Sequence, residues 1–139
     1  MKAIETHRGK VYSWHCDFNG HLNVQHYMAK FDEATWHYFA HLGITPSYMK
    51  AHNVGMFTVE QNINYFHELL PGDLIYIKTQ MLEFKPKAIV FLHQMFNAET
   101  DELVAKAKMV GVHINKTTRQ TIPFTKAVVA KYEVLKEEG

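Results

Sequence analysis

Between residues 24 and 42, apolar side chains recur every three or four positions. This is the spacing of a helix that packs one face against a core. Asn23 precedes the segment as a suitable N-cap, and Gly43 follows it as a suitable C-terminal residue. The pattern therefore predicts an amphipathic helix over residues 24–42. Its inward stripe is predicted to be Val24, Met28, Phe31, Thr35, Tyr38 and Leu42.

After residue 55 the hydrophobic pattern changes to the period of two that is typical of half-buried strands. The linkers between the last three segments are short and polar, and they contain too few residues for a crossover helix. Successive strands are therefore expected to be antiparallel neighbours. The predicted strands cover residues 55–65, 74–84, 88–96 and 103–114.

Three shorter elements complete the prediction: a first strand over residues 10–14, a helical turn at 47–53 and a C-terminal helix over about 124–137. One strand, one long helix and four antiparallel strands that can wrap around it are the outline of the hot-dog fold, an α+β architecture. We therefore expect a five-stranded antiparallel sheet around the long helix. A chain of 139 residues has room for one core, so residues 1–139 are interpreted as a single domain.

Composition and charge narrow the classes of function. The net charge of +1 gives no electrostatic basis for nucleic acid or an acidic membrane as the main partner. A single cysteine, Cys16, cannot form an internal disulfide, and no apolar run approaches the roughly 18 residues of a membrane span or resembles a signal peptide. The expectation is a cytoplasmic protein without a membrane partner.

The loop before the long helix carries the candidate chemistry. Asp17 lies close to the helix N-terminus, where unpaired backbone N–H groups and the positive end of the macrodipole point outward. A thioester carbonyl bound to the N–H of Val24 would be polarised, and its developing oxyanion would be stabilised. Asp17 would then either attack the carbonyl carbon or activate a water molecule for that attack.

The neighbours of Asp17 have supporting roles in this hypothesis. Gly20 would leave room for a ligand or adopt a positive φ angle. His21 would hydrogen-bond Asp17, steer a water molecule or protonate the leaving thiolate, and Asn23 would cap the helix or hold that water. Each residue also has a structural alternative: Asp17 as a turn residue, Asn23 as a cap only, and His21 as an ordinary loop histidine.

Other polar residues are weaker candidates, and no metal or organic cofactor is expected. His37 and His41 have a spacing of four on the helix but no third ligand at motif spacing, so they are interpreted as a solvated face. Glu60 is either a surface residue or a polar group that faces a site across a subunit boundary. Lys85 and Lys87 are candidates for CoA phosphates, with solvated surface lysines as the alternative.

Taken in order, these residues resemble the acyl-CoA thioesterases of the 4-hydroxybenzoyl-CoA thioesterase type. The resemblance covers most of the chain. It rests on Asp17-x-x-Gly20-His21-x-Asn23-x-x-x-Tyr27, Phe31-Asp32-x-Ala34, Thr58-Val59-Glu60, Tyr65, Glu68 and Pro71-Gly72-Asp73.

The resemblance implies that Asp17 is the catalytic carboxylate and that the backbone N–H of Val24 binds the thioester carbonyl. It also implies a homodimer with active sites at the subunit interface, often assembled as a dimer of dimers. Residues expected to contact the acyl-CoA substrate are Gly20, Tyr27, Thr58, Glu60, Lys85 and Lys87.

The substrate and the reaction have alternatives. The Asn19-Gly20-His21-x-Asn23 variant resembles a branch that includes betainyl-CoA thioesterases, whose quaternary ammonium group would favour an aromatic cage. Two other functions are considered: a non-catalytic module that binds acyl-CoA or acyl-carrier protein, and a hot-dog dehydratase. The candidate cage residues are Trp14, Trp36, Tyr38 and Tyr65.

Overall fold

The computed structural model describes residues 1–138. In chain order the elements are β1 (Ile4–Lys10), a 3₁₀ turn (Ser13–His15), α1 (Val24–His41), α2 (Pro46–His52), β2 (Val54–Tyr65), β3 (Leu74–Phe84), β4 (Ala88–Asn97), β5 (Leu103–Asn115) and α3 (Lys126–Glu138). The strands form one antiparallel sheet with the order β1-β3-β4-β5-β2, so the expected α+β hot-dog architecture is confirmed. No helix within residues 1–138 is long and apolar enough to cross a bilayer.

Helix α1 forms where the periodicity predicts it. The Asn23 side chain accepts a hydrogen bond from the N–H of Gln25 at 3.1 Å, and Gly43 has the positive φ of +87° that ends the helix. The predicted inward stripe is correct from Phe31 onward, since those residues are buried. It is wrong for Val24, which is 58% exposed because the first turn of α1 borders a cavity instead of the core.

The predicted first strand is wrong in position, because β1 covers residues 4–10 and residues 13–15 form the 3₁₀ turn. Two features explain why the hydrophobic pattern of the sequence does not indicate this strand. Its buried residue Thr6 is polar and is satisfied by a 2.7 Å hydrogen bond to Thr79. The pairing with β3 also shifts register between Glu5 and His7, which breaks the period of two.

Strand β2 is not the neighbour of β3, contrary to the expectation of successive pairing. It pairs with β5 at the edge of the sheet, because the free side of β3 is occupied by β1. The connection over residues 66–73 therefore runs from β2 at one edge of the sheet past β5 and β4 to reach β3. On the way, the C=O of Leu69 accepts the N–H of Leu22 at 2.8 Å, which brings this connection beside the loop that precedes α1.

The remaining predicted elements are confirmed with small changes at their ends. Helix α3 starts slightly later than expected and buries Val128. Tyr132 of this helix stacks on Phe84 of β3, with ring centroids 4.1 Å apart. Together with Leu135, Tyr132 packs against the core from a partly buried position, so the inward face of α3 is as predicted.

A polar network runs through the centre of the core around His93, which has no exposed surface. The hydroxyl of Thr35 donates to the C=O of Phe31 at 2.9 Å, so its oxygen accepts the Nε2–H of His93 at 2.7 Å. His93 Nδ1 is then an acceptor for the hydroxyl of Thr79, also at 2.7 Å. Burial lowers the pKa of His93 to about 3, which keeps the ring neutral and fixes its tautomer.

We predict that His93→Gln flattens the pH dependence of stability. The pKa of His93 is about 3 in the folded chain, below its ordinary value of 6.5, so only the unfolded chain binds this proton between those values. The free energy of unfolding that results from this difference in pKa is fully present above pH 6.5. It decreases as the pH falls towards 3, by at most about 1.4 kcal/mol per pH unit. The glutamine amide can still donate to Thr35 and accept from Thr79, but it does not titrate. Denaturant unfolding of both proteins between pH 7 and pH 4 measures the two slopes, and equal slopes would contradict the prediction.

Candidate active site

A tight turn before α1 positions the Asp17 side chain. The N–H of Asp17 donates to the C=O of His21 at 3.1 Å, and the N–H of Gly20 donates to the C=O of Asp17 at 3.0 Å. Gly20 has a φ of +83°, a conformation that other L-residues rarely adopt. An isolated bridge between Cys16 and Leu22 closes the base of the turn. The carboxylate is therefore held on a fixed backbone beside the helix start.

The Asp17 carboxylate has two hydrogen-bond donors, one for each oxygen. Oδ1 accepts the N–H of Asn19 at 2.9 Å, and Oδ2 accepts from Nδ2 of Asn23 at 3.4 Å. Because Oδ1 of Asn23 also caps α1 through Gln25, the Asn23 amide connects the carboxylate to the helix. Asn23 is thus the predicted cap, and it also contacts Asp17.

The first turn of α1 supplies a backbone donor beside this carboxylate. Within residues 1–138, no group accepts a hydrogen bond from the N–H of Val24, which is the first residue of the 18-residue helix. Such N–H groups lie at the positive end of the macrodipole and bind oxyanions readily. Val24 and Asp17 line the same cavity, so a ligand there can contact both.

The cavity that contains Asp17 has a volume of about 340 Å³ and opens between the turn before α1 and the connection over residues 66–73. Tyr27, Tyr65 and Phe66 form its aromatic side. Tyr27 is 4% exposed, and its ring meets the edge of Tyr65 at a centroid distance of 5.0 Å. Burial raises the pKa of Tyr27 to about 12, so its hydroxyl stays protonated and neutral.

The polar side of the cavity is acidic. Glu68 of the connection lies with Oε2 at 3.4 Å from Nε2 of His21, an ion pair when the histidine is protonated. His67, the next residue of the same connection, also lines the cavity. Asp17 and Glu68 are its carboxylates, and no lysine or arginine is among the lining residues of the described chain. A ligand group with a positive charge would therefore meet a complementary surface.

Four of the ten predicted site residues line this cavity, and Gly20 and Asn23 belong to the turn and the helix cap beside it. Tyr27 lines it together with Asp17, His21 and Val24, and Gly20 forms the turn beneath the carboxylate. The spacing in the sequence was sufficient for this result because these residues lie within one loop and the two helical turns that follow it.

Four predicted substrate contacts lie outside the cavity of their own chain. Thr58 and Glu60 are exposed on β2, at the edge of the sheet. Lys85 and Lys87 lie in the turn between β3 and β4, where Lys85 Nζ is 3.9 Å from a carboxylate oxygen of Glu83. Their contacts with an acyl-CoA stay predictions.

The sequence did not indicate His67, which also lines the cavity. Asn19 and Glu68 line it too, and their signal was their place in the motifs of the family resemblance. Of the candidates for an aromatic cage, Tyr65 lines the cavity, whereas Tyr38 is buried in the core. The other two cage candidates, Trp14 and Trp36, do not line this cavity.

The histidines of α1 do not belong to a metal centre in the described part of the chain. Residues 1–138 contain no group of three or more His, Cys, Asp or Glu side chains arranged to hold a metal ion. His41 instead stacks on Tyr38, with ring centroids 6.3 Å apart.

Known proteins are similar to this chain in sequence and in fold over nearly its whole length. The family model described as the thioesterase-like superfamily matches residues 11–132. The betainyl-CoA thioesterase of Pseudomonas aeruginosa is 26% identical over 136 residues, which are 98% of this chain and 86% of that protein. The long-chain acyl-CoA thioesterase FadM of Escherichia coli K12 is 29% identical over 129 residues, 89% of this chain and 93% of FadM.

A solved structure agrees with the sequence comparison. A protein of Pseudomonas putida KT2440 superposes with a TM-score of 0.83 at 29% identity, over 99% of this chain and 88% of that one. The fold and the carboxylate at a helix N-terminus define a hot-dog thioesterase domain. The chain belongs to the thioesterase-like superfamily, and it is a thioester hydrolase.

Two substitutions of Asn23 are predicted to separate its two roles. Asn23→Ser keeps an acceptor for the helix N–H groups but loses the amide that donates to Asp17, so we expect near-normal stability and a fall in kcat. Asn23→Ala loses both contacts and is expected to lower the free energy of unfolding by about 1 kcal/mol as well. Thioester turnover and denaturant unfolding of both variants test this. Wild-type kcat in Asn23→Ser would show that the contact with Asp17 has no role in turnover.

Proposed function

We propose that this protein hydrolyses an acyl-CoA thioester, with Asp17 as the catalytic carboxylate. The observation that carries the proposal is that Asp17 and Val24 line one cavity and that the N–H of Val24 has no acceptor within residues 1–138. The thioester carbonyl oxygen would accept the N–H of Val24 while Asp17 attacks the carbonyl carbon or takes a proton from the attacking water. In either route the C–S bond breaks and CoA leaves as the thiolate, which is protonated. In the first route water then hydrolyses the mixed anhydride at Asp17 and releases the free acid, whereas in the second route loss of the thiolate yields the free acid directly.

His21 is proposed to supply the proton to the leaving thiolate. Its Nε2 is 3.4 Å from Oε2 of Glu68, which would hold the ring in place. A thiolate is a stable leaving group compared with an alkoxide or an amide anion, so this step needs less assistance. His21 would therefore contribute less to the rate than Asp17.

The acyl group is proposed to be short and positively charged, with betainyl as the leading candidate. The trimethylammonium group would lie against the faces of Tyr65 and Phe66, close to the carboxylate of Glu68. A cavity of about 340 Å³ suits a small acyl group, and its lining includes carboxylates but neither lysine nor arginine in the described chain. The name of the P. aeruginosa relative agrees with this choice.

We further propose that the active enzyme is a homodimer, with a dimer of dimers as its possible larger form. Strand β2 has 12 residues and lies at the edge of the sheet, where its outer backbone groups have no neighbouring strand. Phe57 and Val59 are 38% and 61% exposed on it. A second copy of β2 would pair with this edge and cover these side chains. Thr58 and Glu60 would then lie at the boundary between subunits.

The proposed location is the cytoplasm, because acyl-CoA thioesters are made and consumed there. The single cysteine, Cys16, is a free thiol, which suits a reducing compartment. Fractionation of the source cells with an antibody against the protein tests this. Recovery outside the cytoplasmic fraction would contradict it.

Asp17→Asn is predicted to lower kcat by about a thousandfold or more, because the amide neither attacks the carbonyl nor takes a proton. His21→Ala is expected to lower kcat by about tenfold. Glu133→Gln makes the same carboxylate-to-amide change on the exposed surface of α3 and should leave turnover unchanged. Thiol release from a panel of short, long, aromatic and betainyl CoA esters measures these rates, with circular dichroism to verify folding. Wild-type turnover in Asp17→Asn would refute the assignment.

The charge of the acyl group can be tested with two substrates of nearly equal shape. Betainyl-CoA and 3,3-dimethylbutanoyl-CoA differ in the replacement of the quaternary nitrogen by carbon. We predict a higher kcat/KM for betainyl-CoA, and a fall of about fivefold in that preference in Tyr65→Leu, which removes one cation–π contact. An equal kcat/KM for the two esters in the wild-type enzyme would exclude the cationic acyl group and leave the thioesterase assignment intact.

Val59→Arg is predicted to dissociate the dimer, because it adds a charge at the centre of the proposed β2 interface. Val134→Arg is the matched control, since Val134 is similarly exposed, at 53%, but lies on α3. Sedimentation velocity should give a dimer or larger assembly for the wild type and the control, and a monomer for Val59→Arg. A monomeric wild type with full activity would contradict the proposed assembly.

A further inference from the structure

A second cavity lies between β1 and α1, on another face of the helix from the Asp17 site. Its volume is about 250 Å³, and it shares no lining residue with the first cavity. His7 of β1, His15 of the 3₁₀ turn, and His26, Lys30 and Glu33 of α1 line it. Neither the thioester chemistry nor the acyl pocket proposed above uses these residues.

The most unusual of these residues is Lys30, which is only 8% exposed. Its Nζ donates to the C=O of Lys10 at 3.2 Å, and it forms no ion pair within residues 1–138. Desolvation lowers the pKa of Lys30, while the charge of Glu33 acts in the opposite direction. Burying an ammonium group is costly unless an anion is close to it. The donors of Lys30 that remain free at this cavity therefore indicate a site for an anionic ligand.

Gly9 provides the space in which two nitrogens approach each other. A Cβ atom added to Gly9 would lie 2.9 Å from Nε2 of His7 and 3.5 Å from Nζ of Lys30. His7 Nδ1 lies 3.1 Å from a carboxylate oxygen of Glu33, so that nitrogen already has a partner. The other ring nitrogen of His7 and the Lys30 ammonium thus both lie close to Gly9, where the His7 ring already fills the position of a side chain.

Two further imidazoles complete the cavity wall. His15 and His26 stack with their ring centroids 3.8 Å apart. His15 Nδ1 is buried and has no hydrogen-bond partner among the described residues. The only carboxylate that lines the cavity is Glu33, and it is paired with His7. Nitrogen-bearing side chains therefore outnumber carboxylates in this cavity, and Lys30 has no carboxylate partner among the described residues.

We propose that this second cavity is a phosphate-binding site, formed around the ammonium of Lys30 and the imidazoles of His7, His15 and His26. A phosphate has several acceptor oxygens and two negative charges, which match the ammonium of Lys30 and the ring nitrogen of His15 that has no partner among the described residues. The C=O of His15 accepts the N–H of Asn23 at 2.9 Å, so one wall of this site is bonded directly to the turn that holds Asp17. The ligand is either free inorganic phosphate or a phosphate group of a larger molecule such as CoA.

Isothermal titration with inorganic phosphate at constant ionic strength tests the proposal. The wild-type protein should bind phosphate saturably, and Lys30→Met should weaken binding by about tenfold or more. Gly9→Ala should also weaken binding, because its methyl group would lie 2.9 Å from Nε2 of His7 and displace that ring from the site without changing the charge. Lys131→Met removes an exposed lysine of α3 and should bind as the wild type does.

A folded wild-type protein that does not bind phosphate would overturn the proposal. Equal phosphate affinity in the wild type, Lys30→Met and Gly9→Ala would overturn it as well. Asp17→Asn should keep full phosphate affinity, so the result is independent of the thioesterase assignment. If Lys30→Met unfolds, Gly9→Ala and the wild type still decide the question.

Titrations with CoA and with dephospho-CoA, which lacks the 3′-phosphate, distinguish the two sources of the phosphate. If the 3′-phosphate of CoA occupies the site, Lys30→Met weakens CoA binding and leaves dephospho-CoA binding unchanged; if the diphosphate of CoA occupies it, Lys30→Met weakens the binding of both. If free phosphate is the ligand, Lys30→Met weakens only inorganic phosphate. Unchanged binding of all three probes would refute a phosphate site at Lys30.

Discussion

The geometry of the site depends on the two hydrogen bonds that the side-chain amide of Asn23 forms. Its oxygen caps α1 through the N–H of Gln25, and its nitrogen donates to Asp17. The same group that fixes where the helix begins therefore also fixes where the carboxylate lies relative to the first helical N–H. Because Gly20 closes the turn between them, little backbone freedom remains at the reacting centre. Such preorganisation is what electrostatic stabilisation of a transition state requires.

The opposite wall of the site depends on the strand order of the sheet. Since β1 occupies the free side of β3, β2 pairs with β5, and the connection over residues 66–73 must cross the molecule. The hydrogen bond from Leu22 to Leu69 fixes this crossing beside the turn before α1. Because the connection lies there, Glu68 Oε2 is 3.4 Å from Nε2 of His21. The same strand order leaves β2 at an edge, where its apolar side chains are exposed.

The start of α1 separates two cavities of opposite electrostatic character. Asp17 and Glu68 line the first, whereas Lys30 and three histidines line the second. The positive end of the helix macrodipole lies near both, and it favours an oxyanion in either one. In the first cavity the oxyanion would develop during the reaction. In the second the positive charge is that of the Lys30 ammonium, whose pKa is lowered by burial.

The sequence by itself determined the features that depend on local spacing. Helix α1, its Asn23 cap, the strands β3 to β5 and the grouping of Asp17 with Val24 all follow from residues close together in the chain. The position of β1 could not be read in this way, because its buried Thr6 is polar and its register shift breaks the alternation. Nor could the meeting of Glu68 with His21, or of Lys30 with His7, be derived from spacing. Only the tertiary structure decided these contacts, because they join segments whose proximity depends on which strands pair and on how the helix packs against them.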